Sequence, residues 1–152
     1  MFMIGIDPHK GSHTAAAVDH SETVIDTLRV IADCHQRERL LAWATPFTPR
    51  TWAVEGATGM GALLAQQLVA AGEHVVDVPP KLSPRVRLLE HGKIDKTDPN
   101  DARSAAIVAW RCPKALLPQQ IGVPLVLIAQ ECSPPTVIWV TVPVPAGIVV
   151  CP

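Results

Sequence analysis

Hydrophobic residues in the first 112 positions come in short runs separated by turn formers, and each run has a definite period. Phe2–Asp7 is an apolar run that ends on a carboxylate, which predicts a short buried strand. Gly11-Ser12 is a turn signal, and Thr14–Asp19 behind it predicts the returning arm of a hairpin. Thr23–Val30 continues the meander as a third strand. Cys34–Ala44 sets Leu40, Leu41 and Trp43 among Arg37, Glu38 and Arg39, an amphipathic helical pattern that Pro46 and Pro49 end. Thr51–Glu55 is a second buried strand closed by a carboxylate. Gly59–Ala71 carries Met60, Leu63, Leu64, Leu68 and Val69 at helical spacing, with Gly72 as its stop. His74–Val78 predicts a further strand, closed by Pro79-Pro80, and residues 81–91 and 99–111 predict helices.

Three strands joined by tight turns, followed by alternating helix and strand, make an α/β chain of βββαβαβα order. The later strands return through helical crossovers, so they are expected to run parallel to the first in a mixed sheet. This order resembles that of ribonuclease H-like domains. A doubly wound nucleotide-binding fold opens β-α-β and fits less well.

The pattern stops near residue 112. Beyond it only Lys114 and Glu131 are charged, and eight of the 15 prolines fall there. Prolines at this density break any amphipathic helix. The uncharged stretch 132–152 is long enough to span a bilayer, but its prolines argue against a spanning helix. Thr136–Val142 allows a short edge strand. The expectation is therefore a folded domain over 1–112 and a Pro-rich apolar tail over 113–152, out of frame or disordered. Composition alone carries this, and the other reading frames of the coding DNA would test it.

A length of 152 residues and 48% hydrophobic content suit one globular domain with a real core. A net charge of -1 predicts no general attraction to nucleic acid, so any such contact needs a local patch. The richest one is Lys81, Arg85, Arg87, Lys93, Lys96, Arg103 and Arg111, diluted by Glu90, Asp95, Asp98 and Asp101. Cys34, Cys112, Cys132 and Cys151 form no CxxC pair and read as free thiols of a reducing compartment. With no secretory leader pattern at residues 1–7, the expected location is cytoplasmic, away from the membrane.

The informative chemistry is acidic. Asp7 and Glu55 each close an apolar strand, and Asp98 and Asp101 stand where a helix begins. Asp7 alone is equally explained as a turn residue. Glu55 is more telling, because a carboxylate at the carboxyl end of a buried strand must be paired or open onto a crevice. Asp98 and Asp101 have a structural explanation of their own: Asp98 as N-cap, Pro99 at the first helical position, Asp101 near the positive end of the dipole. Both roles can coexist, since residues three apart share a helix face. Asp95 ranks lower, with Lys93 and Lys96 beside it. His9, His13 and His20 share no register that suits zinc. Thr58, Ser12 and Lys10 could reach a phosphate, but capping, turn and solvated roles are the defaults. Trp43, Trp52 and Trp110 read as core. Carboxylates brought together from separate segments repel unless a cation joins them. Hard oxygen ligands of this kind suit Mg2+, and two such ions serve phosphodiester cleavage.

Ile4-Gly5-Ile6-Asp7, Val54-Glu55-Gly56-Ala57-Thr58-Gly59 and Lys96-Thr97-Asp98-Pro99-Asn100-Asp101-Ala102-Arg103 together resemble the amino-terminal domain of DEDD transposases. These are insertion-sequence recombinases related to the Piv DNA invertase. The resemblance covers about residues 1–112, and its last motif is the most specific. It implies a RuvC-like ribonuclease H fold with Asp7, Glu55, Asp98 and Asp101 as a magnesium-binding catalytic tetrad. It also implies DNA cutting and rejoining in transposition, in some members under a guide RNA, by a homo-oligomer. In that family a carboxyl-terminal domain supplies a nucleophilic serine. Ser133 has no matching context, so the chain reads as half of a composite active site, inactive alone.

Three other functions are compatible with the pattern. An ATP-binding domain of the actin and sugar-kinase type shares the opening hairpin, but it leaves Lys-Thr-Asp-x-x-Asp-Ala-Arg without a role. A non-enzymatic remnant could bind or inhibit a full-length transposase. A Holliday-junction nuclease would need no serine.

Overall fold

The computed structural model describes residues 1–89 and 97–112. Asp95, its neighbouring lysines, the tail from 113 and the strand expected at Thr136–Val142 lie outside the described residues. The elements are β1 (Phe2–Pro8), β2 (Ser12–Val18), β3 (Val24–Ile31), α1 (Gln36–Trp43), β4 (Arg50–Glu55), α2 (Ala62–Ala70), β5 (Val75–Val78), α3 (Ser83–Leu89) and α4 (Asp98–Arg111). The expected order holds, and the two helices expected at 81–91 and 99–111 appear as α3 and α4.

The strands form one mixed sheet in the order β3-β2-β1-β4-β5. The meander pairs antiparallel, while β4 and β5 run parallel to β1 through the crossovers α1 and α2. Alternation along the strands divides the core in two. Ile4, Ile6, Ala15, Ala17, Trp52 and Val54 face α1 and α2, meeting Leu40, Leu64 and Leu68. Met3, Val18, Ala53, Val76 and Val78 face the other way, onto Val86 of α3 and Ala105–Ala109 of α4.

α4 comes very close to β1. A Cβ on Gly5 would stand 1.9 Å from the Ala102 carbonyl oxygen and 2.7 Å from the Ala106 nitrogen. Only a glycine on the strand and alanines on the helix permit this approach. It pins the amino-terminal turn of α4 above the carboxyl end of β1.

Several local expectations are corrected. α2 begins at Ala62 rather than Gly59, because Gly56 at φ +60° opens a run of turns that carries the chain away from β4 first. Thr97, not Asp98, is the N-cap of α4, so Asp98 lies inside the first turn. Trp52 is fully buried, whereas Trp43 and Trp110 are only partly buried. Their indole nitrogens donate to Asp26 Oδ2 and to the Asp19 carbonyl, so each ring keeps a polar edge. Cys112 is an exposed free thiol, as expected for it, and Cys132 and Cys151 lie outside the described residues.

Candidate metal centre

Strand register explains why distant acidic residues meet. β1 and β4 pair in parallel as far as Ile6↔Val54. The next residues along the two strands are Asp7 and Glu55. Alternation puts Asp7 on the face of Met3 and Gly5, and Glu55 on the face of Ala53, which is the α4 side. The Gly5 contact brings the first turn of α4, with Asp98 and Asp101, over the same strand ends. Asp7, Glu55, Asp98 and Asp101 all line one cavity of about 680 Å³. His9, Gly56, Thr58, Met60, Pro80 and Ser83 complete much of its wall.

Asp7 is only 7% exposed. Its Oδ2 lies 3.0 Å from His9 Nε2, and the same nitrogen lies 3.6 Å from Asp98 Oδ1. One ligand atom from each of Asp7, His9 and Asp98 falls within 4.8 Å of the others, close enough for a single cation. The donors are mainly carboxylate oxygens, as a hard divalent ion prefers. The side chains therefore fit a metal: a buried carboxylate faces a second one from another element across a shared imidazole.

His9 is the residue that sequence reasoning passed over. Its spacing from His13 and His20 gives no zinc register, and its partner is Asp7, near the end of β1 and two residues earlier. Lys10, considered for phosphate contact, is exposed and lines a neighbouring cavity with His9 and His13. Thr58 does line the carboxylate cavity. Ser12 instead accepts hydrogen bonds from Arg29 Nε and Nη2, at 3.2 and 3.1 Å. Ser83 was not singled out. Its hydroxyl is buried at the cavity wall and has no hydrogen-bond partner among the described residues.

Behind the site, His13 Nε2 is bonded to Gln36 Oε1 at 2.9 Å, and Gln36 Nε2 donates to Gln67 Oε1 at 2.7 Å. Burial pushes the His13 imidazole below its ordinary pKa; the Gln36 bond opposes this and His9 adds to it.

A mixed sheet opened by a three-stranded meander, with acidic side chains at the ends of adjacent parallel strands and on a covering helix, defines a ribonuclease H-like fold of the RuvC type. Thermus thermophilus RuvC in complex with a Holliday junction substrate superposes with a TM-score of 0.59 at 18% identity, covering 78% of this chain and 99% of that one. A second Thermus thermophilus RuvC structure gives 0.56 at 17% identity over the same shares of the two chains. The family model for DEDD-type IS110 transposases matches residues 4–122, and the chain belongs to that family. An uncharacterized 44.8 kDa protein of insertion element IS116 from Streptomyces clavuligerus is 37% identical over 103 residues. That match takes in 68% of this chain but spans only 26% of the relative's length.

Proposed function

We propose that Asp7, Glu55, Asp98 and Asp101 hold divalent magnesium and form the metal-dependent DNA-cleaving part of a transposase active site. The shared cavity lined by all four carboxylates, with ligand atoms of Asp7, His9 and Asp98 within 4.8 Å of one another, supports this reading. Bound there, the ion would supply Lewis-acid activation of a phosphodiester and of the oxygen that attacks it.

The chain's own residues divide the remaining work. Asp7 and Glu55 come from adjacent strand ends and form a rigid floor. Asp98 and Asp101 come from α4 and form the roof, so the position of that helix sets the spacing between donors. His9 bridges Asp7 and Asp98 and holds their oxygens in place, or gives its Nε2 to the same ion. The buried Ser83 hydroxyl is a polar atom on the wall that a phosphate or a metal-bound water could use.

DNA is the substrate this reading assigns, with cutting and rejoining in transposition as the reaction of the full-length protein. A guide RNA and a homo-oligomer are what the family resemblance adds, and the cytoplasm is the expected place of action. Among the described residues no helix is long and apolar enough to cross a membrane. Because the match spans about a quarter of the IS116 relative, strand exchange is assigned to the longer protein and metal binding to these residues. The remnant that binds a full-length transposase remains compatible with this division.

Calorimetric titration of the chain with Mg2+ tests the centre. Binding should be measurable in the wild type and lost in Glu55→Lys, with the far-ultraviolet circular dichroism unchanged. Equal Mg2+ affinity in the two proteins would sink the proposal. Recombinant product from this chain alone in a strand-exchange assay would overturn the division of labour.

A further inference from the structure

A second cavity, of about 380 Å³, lies against the carboxylate centre and shares Asp98 with it. Its floor is Thr14 of β2 with Thr27 and Arg29 of β3, and its roof is Thr97, Asp98 and Pro99 at the start of α4. Register explains the placement. Asp7 pairs with Thr14, and Thr14 pairs with Arg29. Cross-strand partners share a face, so Arg29, Thr14, Asp7 and then Glu55 make one row across four strands beneath α4. The row is acidic at one end and cationic at the other.

We propose that Arg29, with the hydroxyls of Thr14 and Thr97, binds a backbone phosphate of the DNA strand next to the one held at the metal centre. This rests on the DNA-cleaving reading above. Three observations support it. The Thr14 hydroxyl is buried, in a residue only 3% exposed, and has no hydrogen-bond partner among the described residues. Such a group carries a desolvation cost unless a ligand satisfies it. Thr97 occupies the N-cap of α4, yet its side chain makes no capping hydrogen bond. Arg29 is held in place through Ser12 while its Nη1 stays 3.8 Å from Asp98 Oδ2, with the side chain 68% exposed. An ion pair that open adds little to stability, so the fold itself gives slight reason for the arginine to be there. A guanidinium fixed by one hydroxyl and flanked by two others suits a phosphate. With a cation on Asp98, that carboxylate would no longer repel the anion.

Fluorescence anisotropy of the full chain with a short labelled DNA duplex in Mg2+, over a salt series, tests the assignment. Arg29→Gln should weaken binding and flatten the plot of log affinity against log salt by about 0.9, the loss of one phosphate contact. Thr14→Val keeps the side-chain shape and should weaken binding about tenfold or less, with the slope unchanged because no charge is removed. Neither variant should reduce the Mg2+-induced rise in melting temperature, which marks the metal centre as intact. Wild-type affinity and slope in both variants would overturn the phosphate site and leave the metal reading standing. A wild-type chain that binds neither Mg2+ nor the duplex would bring down the metal reading, and this proposal with it.

Discussion

Gly5 shows how one residue can set the geometry of a site it does not touch. The Cβ of Gly5→Ala would overlap a backbone oxygen of α4, and no rotamer change relieves a backbone contact. α4 must lift, which opens the apolar layer between Met3 and Ala105–Ala109. The expected cost is roughly 1–3 kcal/mol, in the range of core overpacking with backbone shifts. Chemical denaturation should show this as a lower midpoint, and Mg2+ titration should show weaker binding because Asp98 and Asp101 move with the helix. A glycine inside a strand pattern was the available signal for a close approach. The sequence does not say which element approaches, since α4 lies almost a hundred residues later.

His13 makes a pH prediction at the same scale. Its folded pKa is depressed, so the unfolded chain binds the proton first as pH falls through the ordinary value of 6.5. The contribution of neutral His13 is therefore complete above that pH and declines below it. Thermal melts should show stability falling as pH drops below about 6.5, and His13→Gln should flatten that decline. A histidine in an alternating strand already implies a buried or exposed choice. The sequence could not reveal the Gln36 and Gln67 partners, which come from α1 and α2.

Among the elements, β4 carries the clearest internal brace. Arg50 donates to both carboxylate oxygens of Glu73, at 2.9 and 2.5 Å, and to the Ala44 carbonyl. Trp52 Nε1 donates to Glu73 Oε2 at 2.6 Å, and the Arg50 guanidinium lies over the Trp52 ring. Together these tie the start of β4 to the end of α1 and to the turn after α2. Burial raises the Glu73 pKa, but the bonds from Arg50 and Trp52 outweigh it and hold the carboxyl below the ordinary value of 4.5. A depressed acid stabilises the fold above the unfolded value, and that contribution is lost as pH drops below it. Glu73→Gln should cost roughly 2 kcal/mol at neutral pH, since Arg50 is left with a weaker partner in a mostly buried place. Urea unfolding at pH 7 and at about pH 3 should show the gap between wild type and variant close at the acid end. Strand and helix existence was legible from periodicity, because each apolar run kept its period. Boundaries were less so. Asp-Pro-x-Asp pointed to Asp98 as the cap, but Thr97 took that place, and Asp98 became free to face the cavity.

At the scale of the whole molecule, fold and site are in tension. Four carboxylates line one cavity, with Asp7 buried, and like charges brought so near one another repel. The sequence made this legible because acidic residues closing apolar strands are costly without a purpose. What it could not supply was the row that continues to Arg29, since that depends on the register of three strands at once. The tension makes a prediction of opposite signs. In chelator, Asp7→Asn should melt higher than the wild type, because one negative charge leaves a crowded, low-dielectric site at nearly constant shape. In Mg2+ the order should reverse. Saturating the wild type at a hundredfold excess over its dissociation constant adds about 2.7 kcal/mol, and the variant should gain little. Differential scanning fluorimetry with and without the ion reads both halves. A variant that melts lower than the wild type under both conditions would mean that Asp7 serves the fold instead. A variant that keeps the full Mg2+ response would mean that the ion sits elsewhere in the molecule.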